Sequence, residues 1–549
     1  MFIKTTRNKA GQTYYHLVES YWQDGQSHQR TLLSLGRAGD DKIDDLVAAV
    51  AKHRDMMTAV QLAKEIDIAS TYILGPLLVL ERLFETSGID DVIMHVAKQH
   101  PKLEFDLKQA IFTMVTTRFV KPSSKLKIYE SEQKRLYPGL VNGDLALHHL
   151  YRTLDILSEH KDEIEHNLFK HGRDLLTPSV DVVLYDLTTL RFESTREDLG
   201  KLRKFGYSKE KRSDCTQIVF GLMVTPEGIP LGFEIYPGNT FEGSTVKDIA
   251  KKMRQKFNVN RFIFVADRGL FSAQNLGILR EEKGEFIVGI KLGVFKNRHD
   301  DFYDSSKLTK INNDFACRET EHNGDRVVIT WSKVRAERDK KSRENVLAKI
   351  RKKLIGDAPA LKKLVTHESY RKFVKEETKA KLMLNEEAIA ADAKRDGFFG
   401  IVTNIRDAKA EEIVANYKSL WEVEDAFGEM KGTLRVRPMF HWSDSRIVGH
   451  LVLCFMAYLC EALMTKALRD KGFLLETPAT GAGIIEQRSL TVVEAMRELN
   501  EVRAIPVTLR SQTIWVRTDI TGNANKLLTA IGKKPPPKLL KPPLQIHKS

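Results

Sequence analysis

The sequence contains few cysteines, and this scarcity excludes two classes of protein. Four cysteines occur in 549 residues and none belongs to a CxxC pair, so a zinc site built on thiolates is not expected. Four cysteines in so long a chain also exclude a disulfide-stapled scaffold and favour a reducing cytoplasm. The first residues, MFIKTTRNKAGQTYY, lack the apolar segment of a signal peptide, so we expect none.

Long apolar runs are equally scarce. The longest, IVGHLVLCFMAYLCEALM (Ile447–Met464), contains His450 and Glu461 and is barely long enough to span a bilayer. We therefore predict a buried core helix at this place and no association with a membrane. No internal repeat is found in the sequence.

The charge of the chain is unbalanced, because basic residues are in excess. Lys and Arg total 87 against 73 for Asp and Glu, which gives a net charge of +14 and an isoelectric point near 9.3. This excess favours a polyanionic partner, nucleic acid first. Hydrophobic residues at 42% and charged residues at 29% are typical of a soluble globular protein, and the length allows several domains.

The first part of the chain combines a short β region with helices. In YYHLVESYWQDGQSHQRTLLSLG, alternating segments flank a QDGQ turn, which predicts a hairpin. Further on, segments such as LGPLLVLERLFETSG have apolar residues at helical spacing and a stop at Gly88. Helices are therefore expected to follow the hairpin.

After Pro178 the pattern changes to five short apolar runs: VDVVLYD, TQIVFGLMV, IPLGFEIY, RFIFVAD and EFIVGIK. A tight TPEG turn joins the second and third runs into a hairpin, and helical stretches precede and follow the fourth. This order predicts a mixed α/β sheet with an antiparallel portion.

Two of these runs end in an aspartate. Asp186 follows VVLY and Asp267 follows FIFVA, so the two carboxylates occupy equivalent places on two strands. A lone aspartate could simply cap a turn, but sites in α/β sheets gather at strand ends. Two carboxylates brought together there repel each other unless a cation lies between them, and Mg²⁺ prefers few carboxylates together with phosphate oxygens. The pair therefore predicts a metal site.

A third carboxylate comes from YKSLWEVEDAFGEMKGTLRVRP (Tyr417–Pro438). Tyr417, Glu424 and Lys431 are spaced seven apart, so on a helix they share nearly one face, beside apolar residues. The other acidic residues of this segment are predicted to lie more to the outside: Glu422, Asp425 and Glu429. Three carboxylates can hold two divalent metals, which can activate a nucleophilic oxygen and stabilise the leaving oxygen of a phosphodiester.

Between the fifth apolar run and GFFGIVTN, the sequence reads as an inserted basic domain. It contains a strand, RVVITWSKV, and the run Lys333–Lys353, which holds ten basic and three acidic residues. Clustered Lys and Arg favour phosphate contacts through counterion release, although a solvated helix would have the same composition. Trp331 could stack on an unpaired base or pack as an ordinary strand residue.

Together, five motifs resemble bacterial insertion-sequence transposases of the DDE class: YDLTTLRFES, GYSKEKRSDCTQIVFGLMV, GIPLGFEIYPGNTFEGST, VADRGLFSAQN and YKSLWEVEDAFGEMKGTLRVRPMFHW. The resemblance covers roughly residues 5 to 470. It points to the group named after insertion sequence four, which carries a Y-R-E-K signature and a β-rich insertion before the catalytic Glu. The implied fold is α/β, with an RNase H-like (retroviral-integrase-like) mixed-sheet core, a β-containing insertion domain and a helical N-terminal region.

The resemblance and the changes in composition divide the chain into six parts. We expect an N-terminal β-hairpin region (1–58), a helical domain suited to binding DNA ends (59–176), the first part of the catalytic core (177–291), the basic insertion domain (292–397), the second part of the core (398–470) and a C-terminal region (471–549). The final KKPPPKLLKPPLQIHKS is expected to be extended or disordered.

The resemblance also implies roles for particular residues. Asp186, Asp267 and Glu424 would form the catalytic triad and hold two Mg²⁺ or Mn²⁺ ions per active site. Tyr417 and Lys431 would contact the transposon-end DNA near the scissile phosphate.

One position departs from the signature, because its Arg is Leu420 here. Lys418 or Arg435 is expected to compensate for the missing phosphate contact. Further DNA contacts are expected from basic residues near the two aspartates, which could instead belong to a solvated loop or an ion pair: Lys209, Arg212 and Arg268.

The implied function is DNA transposition. The protein would bind the ends of its insertion sequence, cleave the strands by metal-dependent hydrolysis and join the 3′-OH ends to target DNA. The implied partners are the terminal inverted repeats, the target DNA and a second copy of the chain in a paired-end complex, within the bacterial cytoplasm near the nucleoid. Two alternatives stay open: a metal-dependent DNA nuclease on the same core, and a catalytically inactive, transposase-derived DNA-binding protein.

Overall fold

A computed structural model describes most of the chain. The described residues are 2–23, 25–39, 44, 66–67, 70–176, 182–197, 200–207, 214–257, 262–270, 272–290, 292, 302–322, 324–355, 366–378, 381–437, 439–478, 485–509 and 512–543. The chain begins with three antiparallel strands: β1 (Phe2–Arg7), β2 (Thr13–Gln23) and β3 (Gln26–Arg37). Gln23 pairs with Gln26 across a two-residue turn in which Gly25 has a φ of +78°, as a DG sequence allows. The predicted hairpin is confirmed, and β1 adds to its edge.

Helices dominate the next part of the chain, as predicted. Two short strands precede them: β4 (Ile66–Asp67) and β5 (Tyr72–Ile73). The helices are α1 (Gly75–Thr86), α2 (Ile89–Lys98), α3 (Leu107–Val120), α4 (Lys125–Lys127), α5 (Leu147–Glu159) and α6 (Lys161–Leu176). Asp106 begins α3 by accepting a hydrogen bond from the backbone N–H of Gln109 at 3.1 Å.

The five predicted apolar runs form neighbouring strands of one sheet. Their bounds are Val182–Arg191 (β6), Gln217–Val224 (β7), Pro230–Pro237 (β8), Ile263–Ala266 (β9) and Glu285–Ile290 (β10). β6, β7 and β8 pair antiparallel, whereas β9 runs parallel to both β6 and β10. Helix α7 (Val246–Gln255) precedes β9 and α8 (Ala273–Glu281) follows it. The prediction of a mixed sheet with an antiparallel portion is confirmed.

The inserted stretch continues this sheet rather than folding entirely apart from it. Its strands β11 (Thr309–Asn312), β12 (Phe315–His322) and β13 (Asp325–Ser332) reach β10 through β16 (Phe398–Thr403), which pairs antiparallel with both β13 and β10. The remaining elements are α9 (Lys333–Leu354), α10 (Glu368–Arg371), β14 (Val374–Thr378), β15 (Lys381–Leu384) and α11 (Glu386–Ala393). These outer elements share a small apolar cluster around Leu347, Ile350 and Phe373. Domain boundaries at 292 and 397 stay predictions.

Three helices then return to the central sheet: α12 (Ala410–Lys418), α13 (Trp421–Lys431) and α14 (Asp444–Lys471). By length and composition α14 could cross a membrane, but 89% of its most apolar window is buried inside the protein. Gly449 lets α14 approach α5 closely, since a Cβ there would overlap the backbone oxygen of Leu154. The prediction of a buried core helix is confirmed.

Each face of the central sheet has its own core. Leu184 and Val265 face the cluster formed with α14 and the N-terminal helices, whereas Val183 and Phe264 face α7 and α8. This alternation is the two-residue period of a strand. All four cysteines are buried free thiols.

The C-terminal part joins the helical region near the start of the chain. Its elements are β17 (Leu474–Pro478), β18 (Ile485–Ser489), α15 (Val492–Leu499), β19 (Arg503–Leu509), β20 (Gln512–Arg517), α16 (Gly522–Ala530) and β21 (Leu539–Leu540). β19 pairs with β4 and β5. The described part of the tail, up to residue 543, is extended, one of the two predicted states, because β21 pairs with β20 and Tyr137 Oη donates to Lys541 O at 2.8 Å.

Candidate active site

The two aspartates lie side by side on neighbouring parallel strands. Leu184 of β6 pairs with Val265 of β9. Asp186 and Asp267 each follow two residues later, so continuing this register past the paired residues places them on the face of Leu184 and Val265, on chains whose backbones are spaced by about 4.8 Å where they pair. Asp267 is exposed in the first position after β9, and Asp186 is half-buried within β6. The strands that lead to the two aspartates are therefore neighbours, and the shared role of the two carboxylates stays a prediction.

Glu424 lies on α13, which covers the same face of the sheet. Val423 and Phe427 belong to the core on this face, and the Phe427 ring lies 6.2 Å from that of Phe220 in β7. Glu424 is exposed, about one turn before Phe427. The helix therefore buries its apolar residues against the sheet and leaves the Glu424 carboxylate accessible.

The prediction for Glu422 was wrong. Its side chain is buried, 7% exposed, and lies 3.6 Å from the guanidinium of Arg469, while burial raises its pKa. The reason is tertiary packing, because Glu422 lies against Arg469 of α14 and against the turn between β7 and β8, where a Cβ at Gly228 would lie 3.0 Å from Glu422 Oε2.

Tyr417 and Lys431 attach the two ends of this segment to the aspartate strands. Tyr417 Oη donates to Asp267 Oδ1 at 3.2 Å, and Lys431 Nζ donates to Thr188 Oγ1. Thr188 lies on the same face of β6 as the aspartates, because side chains alternate along a strand. Glu424 lies midway in sequence between these two contacts, and the segment therefore crosses the aspartate pair.

The hydroxyl of Tyr417 is fixed as a hydrogen-bond donor. Burial and the nearby Asp267 carboxylate raise its pKa, so the phenol keeps its proton. Gly289 in β10 makes room for it, since a Cβ at this position would overlap the Tyr417 hydroxyl. Tyr417 can therefore orient the Asp267 carboxylate.

Arg335 is a candidate that the sequence did not single out. Its guanidinium lies 4.5 Å from the centre of the Phe399 ring, and Phe399 packs on Tyr417 with 5.0 Å between ring centres. Burial lowers the pKa of Arg335, and Arg268 is among the charges that act on it. Arg335 belongs to the basic run Lys333–Lys353, but no pattern within that run distinguishes it from the other basic residues.

The remaining basic candidates differ in their surroundings. Arg268 is exposed next to Asp267, and the Lys418 ammonium lies 4.6 Å from the centre of the Phe315 ring. Leu420 is 7% exposed in the core, so an arginine at this position would be buried. Packing therefore accounts for the departure from the predicted signature.

Four predicted DNA contacts lie elsewhere or outside the described residues. Trp331 is half-buried, and its indole N–H donates to Asp396 O at 3.2 Å, so its polar edge is engaged within the fold. Arg435 is exposed in the loop after α13, with a φ of 46°. Lys209 and Arg212 lie outside the described residues.

The donor set at the aspartate edge suits a hard divalent cation, which prefers carboxylate oxygens and open positions for phosphate and water. Among the described residues, however, a group with all ligand atoms within 4.8 Å of one another occurs elsewhere, at His100, Glu159 and His160. Glu424 would therefore have to approach the two aspartates for all three to share one ion.

Comparisons with known proteins agree with this geometry. Residues 178–460, just over half of the chain, match the family described as a transposase DDE domain. Residues 3–61 match the N-terminal domain of the IS1634 family of transposases. No curated protein matches the chain. The resemblance to DDE transposases is confirmed, but the group named after insertion sequence four is not supported, since IS1634 is a different family.

Proposed function

Because this chain belongs to the transposases with a DDE domain, we propose that it binds the ends of its own insertion sequence, cleaves them and joins the 3′-OH ends to target DNA. The observation that supports the proposal is that β6, which holds Asp186, and β9, which leads to Asp267, are parallel neighbours, and that Tyr417 and Lys431 bond to Asp267 and Thr188. An acidic pair that is flanked by hydrogen-bond donors and basic side chains suits a phosphodiester substrate.

Asp186, Asp267 and Glu424 are the proposed ligands of two Mg²⁺ or Mn²⁺ ions. When bound, such ions supply the activation of a nucleophilic oxygen and the stabilisation of the leaving oxygen. The residues fit this role because all three offer hard oxygen donors and two of them are exposed to the substrate side.

The surrounding side chains hold the reacting groups in place. Tyr417 keeps its proton and orients Asp267. Lys431, held at Thr188, and Arg335, held over Phe399, supply positive charge on either side of the carboxylates for phosphate oxygens.

The partners follow from the reaction. The substrates are the terminal inverted repeats and the target DNA, and cleavage at two ends requires two copies of the chain in a paired-end complex. The excess of basic residues, +14 overall, suits this polyanionic substrate. The proposed location is the bacterial cytoplasm, at the nucleoid.

A cleavage assay with carboxylate variants tests the proposal. Full-length protein is incubated with a labelled duplex that carries the element's own terminal repeat, with Mg²⁺ or Mn²⁺. Alanine at Asp186, Asp267 or Glu424 should reduce cleavage about a thousandfold or more, because bound metal contributes several kcal/mol of transition-state stabilisation. Binding of the duplex should change little.

Asp425→Ala is the matched control, because Asp425 is exposed on the same helix next to Glu424. This variant should cleave like the wild type. Cleavage that persists in all three triad variants would remove the site assignment. Products that join the element end to target DNA distinguish a transposase from a nuclease on the same core, and binding without any cleavage would identify an inactive DNA-binding protein.

A further inference from the structure

A cavity away from the aspartate pair collects positive charge without negative charge. It has a volume of about 250 Å³ and lies between the segment after α3, helix α5 and the loop between α13 and α14. Four basic side chains and two histidines line it: Arg118, Lys125, Arg435, Arg437, His441 and His450. Within the part of the chain that the structure describes, none of the lining residues is an Asp or a Glu.

Two of these basic residues are buried without a carboxylate partner. Lys125 is 3% exposed and Arg118 is 6% exposed. Arg118 donates to the backbone oxygens of Leu434 and Arg435 at 3.3 and 3.1 Å and to His450 Nδ1 at 3.4 Å. No ion pair involves either side chain among the described residues. Burying a cation in this way is unfavourable unless an anion joins it.

The electrostatics of the neighbouring groups point the same way. Burial and Arg118 lower the pKa of Lys125 to about 7, and burial together with Lys125 and Arg118 lowers the pKa of His441 to about 3. The pKa of the buried His450 is lowered as well. The electrostatic potential in this cavity is therefore positive, and a bound anion would stabilise the charges that line it.

The cavity lies beside the strand that carries Asp186. Met439, one of its lining residues, donates its N–H to Arg191 O at 3.4 Å and forms a β-bridge with Phe192. Arg191 follows Asp186 by five residues, about 17 Å along an extended strand. Successive phosphates of one DNA strand advance about 3.4 Å along the duplex and also turn around its axis, so this separation corresponds to a few nucleotides.

We propose that this cavity binds one backbone phosphate of the element-end DNA, a few nucleotides from the phosphate at Asp186. This inference rests on the proposed function. The volume accommodates several water molecules at about 30 Å³ each, and hence a phosphate group. Arg435 and Phe440, which line the cavity, are exposed and favour a phosphate that belongs to a nucleotide over a free ion.

The test compares Lys125→Met with Lys121→Met in the full-length chain. Lys121 lies four residues earlier, is half-exposed and pairs with Glu132 at 3.0 Å, so it serves as a matched control. Lys125→Met should weaken binding of the terminal-repeat duplex about tenfold and reduce the salt slope of binding by about one, as expected for one lost phosphate contact. Lys121→Met should change neither quantity.

Neutral methylphosphonates, placed one at a time in the duplex, locate the contact. In the wild type, a methylphosphonate at one position within a few nucleotides of the cleavage site should weaken binding about tenfold, and in Lys125→Met this position should no longer matter. Equal affinity and equal salt slope for wild type and Lys125→Met would overturn the proposal while leaving the transposase function intact.

Measurements with inorganic phosphate distinguish a failure of this proposal from a failure of the proposed transposase function. If the wild type failed to bind its terminal duplex at all, the proposed function would fail first. If phosphate then raised the melting temperature of the wild type but not of Lys125→Met, the cavity would be a site for free phosphate, and the DNA assignment would be wrong. Duplex binding with a Lys125-dependent methylphosphonate position supports the proposal.

Discussion

Two buried lysines of the helical region have opposite electrostatic surroundings. Lys161 Nζ lies 3.0 Å from Glu165 and 3.4 Å from Glu234, and it donates to Phe233 O at 2.9 Å. Burial works against its charge, but Glu165 and Glu234 outweigh burial and raise the pKa of Lys161. Lys125, in contrast, lies among Arg118 and two histidines, and its pKa falls to about 7.

The contrast distinguishes a buried charge that the fold itself neutralises from a buried charge that a ligand is expected to neutralise. The fold itself satisfies Lys161, so the ion pairs explain why a cation is buried there. No acidic side chain in the described fold neutralises Lys125, so its charge lowers the stability of the fold. A ligand that binds after folding would explain why a lysine is kept at this position. Substitution of the two lysines should therefore change stability in opposite directions.

Lys161→Met should give the largest loss. Glu165 is fully buried, and removal of Lys161 leaves it with Lys256 as its remaining cation. We expect the free energy of unfolding to fall by about 3 kcal/mol, at the lower end for a broken buried pair because Lys256 stays. Urea unfolding at neutral pH measures this change.

The paired variant Lys161→Met with Glu165→Met provides the control for Lys161. If the loss comes from an unpaired Glu165 carboxylate, removing both charges should restore part of the lost stability. A single Lys161→Met variant as stable as the wild type would show that this network contributes nothing to the fold.

Lys125→Met should have the opposite sign. The pKa of Lys125 is about 7 in the folded chain against 10.5 for an exposed lysine, so the unfolded chain binds more protons between these values and stability rises with pH there. The cost of the buried charge is therefore complete below pH 7 and absent above pH 10.5. We expect Lys125→Met to gain about 2 kcal/mol at pH 6.5 and much less at pH 9.5.

Urea midpoints of the wild type and Lys125→Met at both pH values check this. Arg118, His441, His450 and the Cys454 thiol face Lys125, and each remains in the variant. A loss of stability at pH 6.5 would mean that the ammonium is compensated within the fold, and the comparison with Lys161 would not hold.

The sequence predicted the first five strands of the central sheet well because each of them has a recognisable local pattern. The five apolar runs are short, rich in β-branched residues and bounded by turns, so their existence and order could be predicted. The sequence could not predict that β13 and β16 continue the same sheet, because pairing between segments so far apart in sequence depends on packing that no local pattern records.

The candidate site was predicted in part for a related reason. Asp267 directly follows β9, as predicted, whereas Asp186 lies within β6, which continues to Arg191, so only the neighbourhood of the two strands could be inferred from topology. Glu422 was misplaced because Arg469 of α14 and the turn at Gly228 cover it, and no pattern within the segment records these contacts. Arg335 reaches the site by tertiary packing alone, which is invisible in a run of basic residues.

Glu461→Gln extends the comparison to a buried acid that has no ion pair with any basic residue in the described part of the chain. Glu461 accepts a hydrogen bond from Thr465 at 2.9 Å, and burial together with Glu429 raises its pKa to about 7 from an ordinary value of 4.5. The folded chain therefore holds the extra proton between pH 4.5 and 7, and stability falls as pH rises through this range. We expect Glu461→Gln to be about 1–2 kcal/mol more stable than the wild type at pH 8 and equal to it at pH 4.

Thermal or urea unfolding at the two pH values measures this difference. Asp425→Asn is the control for Glu461, because Asp425 is an exposed neighbour that also raises the pKa of Glu461. Its effect should be smaller at pH 8. If Glu461→Gln gave the same gain at pH 4 as at pH 8, hydrogen bonding rather than charge would be the cause.

Lys121→Met should have the smallest effect and thereby sharpens the comparison between the lysines. Lys121 pairs with the buried Glu132 at 3.0 Å, but Arg135 also binds Glu132 at 2.9 Å, so one partner remains. We expect a loss of less than about 1 kcal/mol, reduced further at high salt because Lys121 is half-exposed. Unfolding at low and high salt measures it. A gain in stability as large as that of Lys125→Met would mean that any positive charge in this segment is unfavourable. A small loss of stability would instead assign the electrostatic cost to the buried Lys125, which has no ion pair among the described residues.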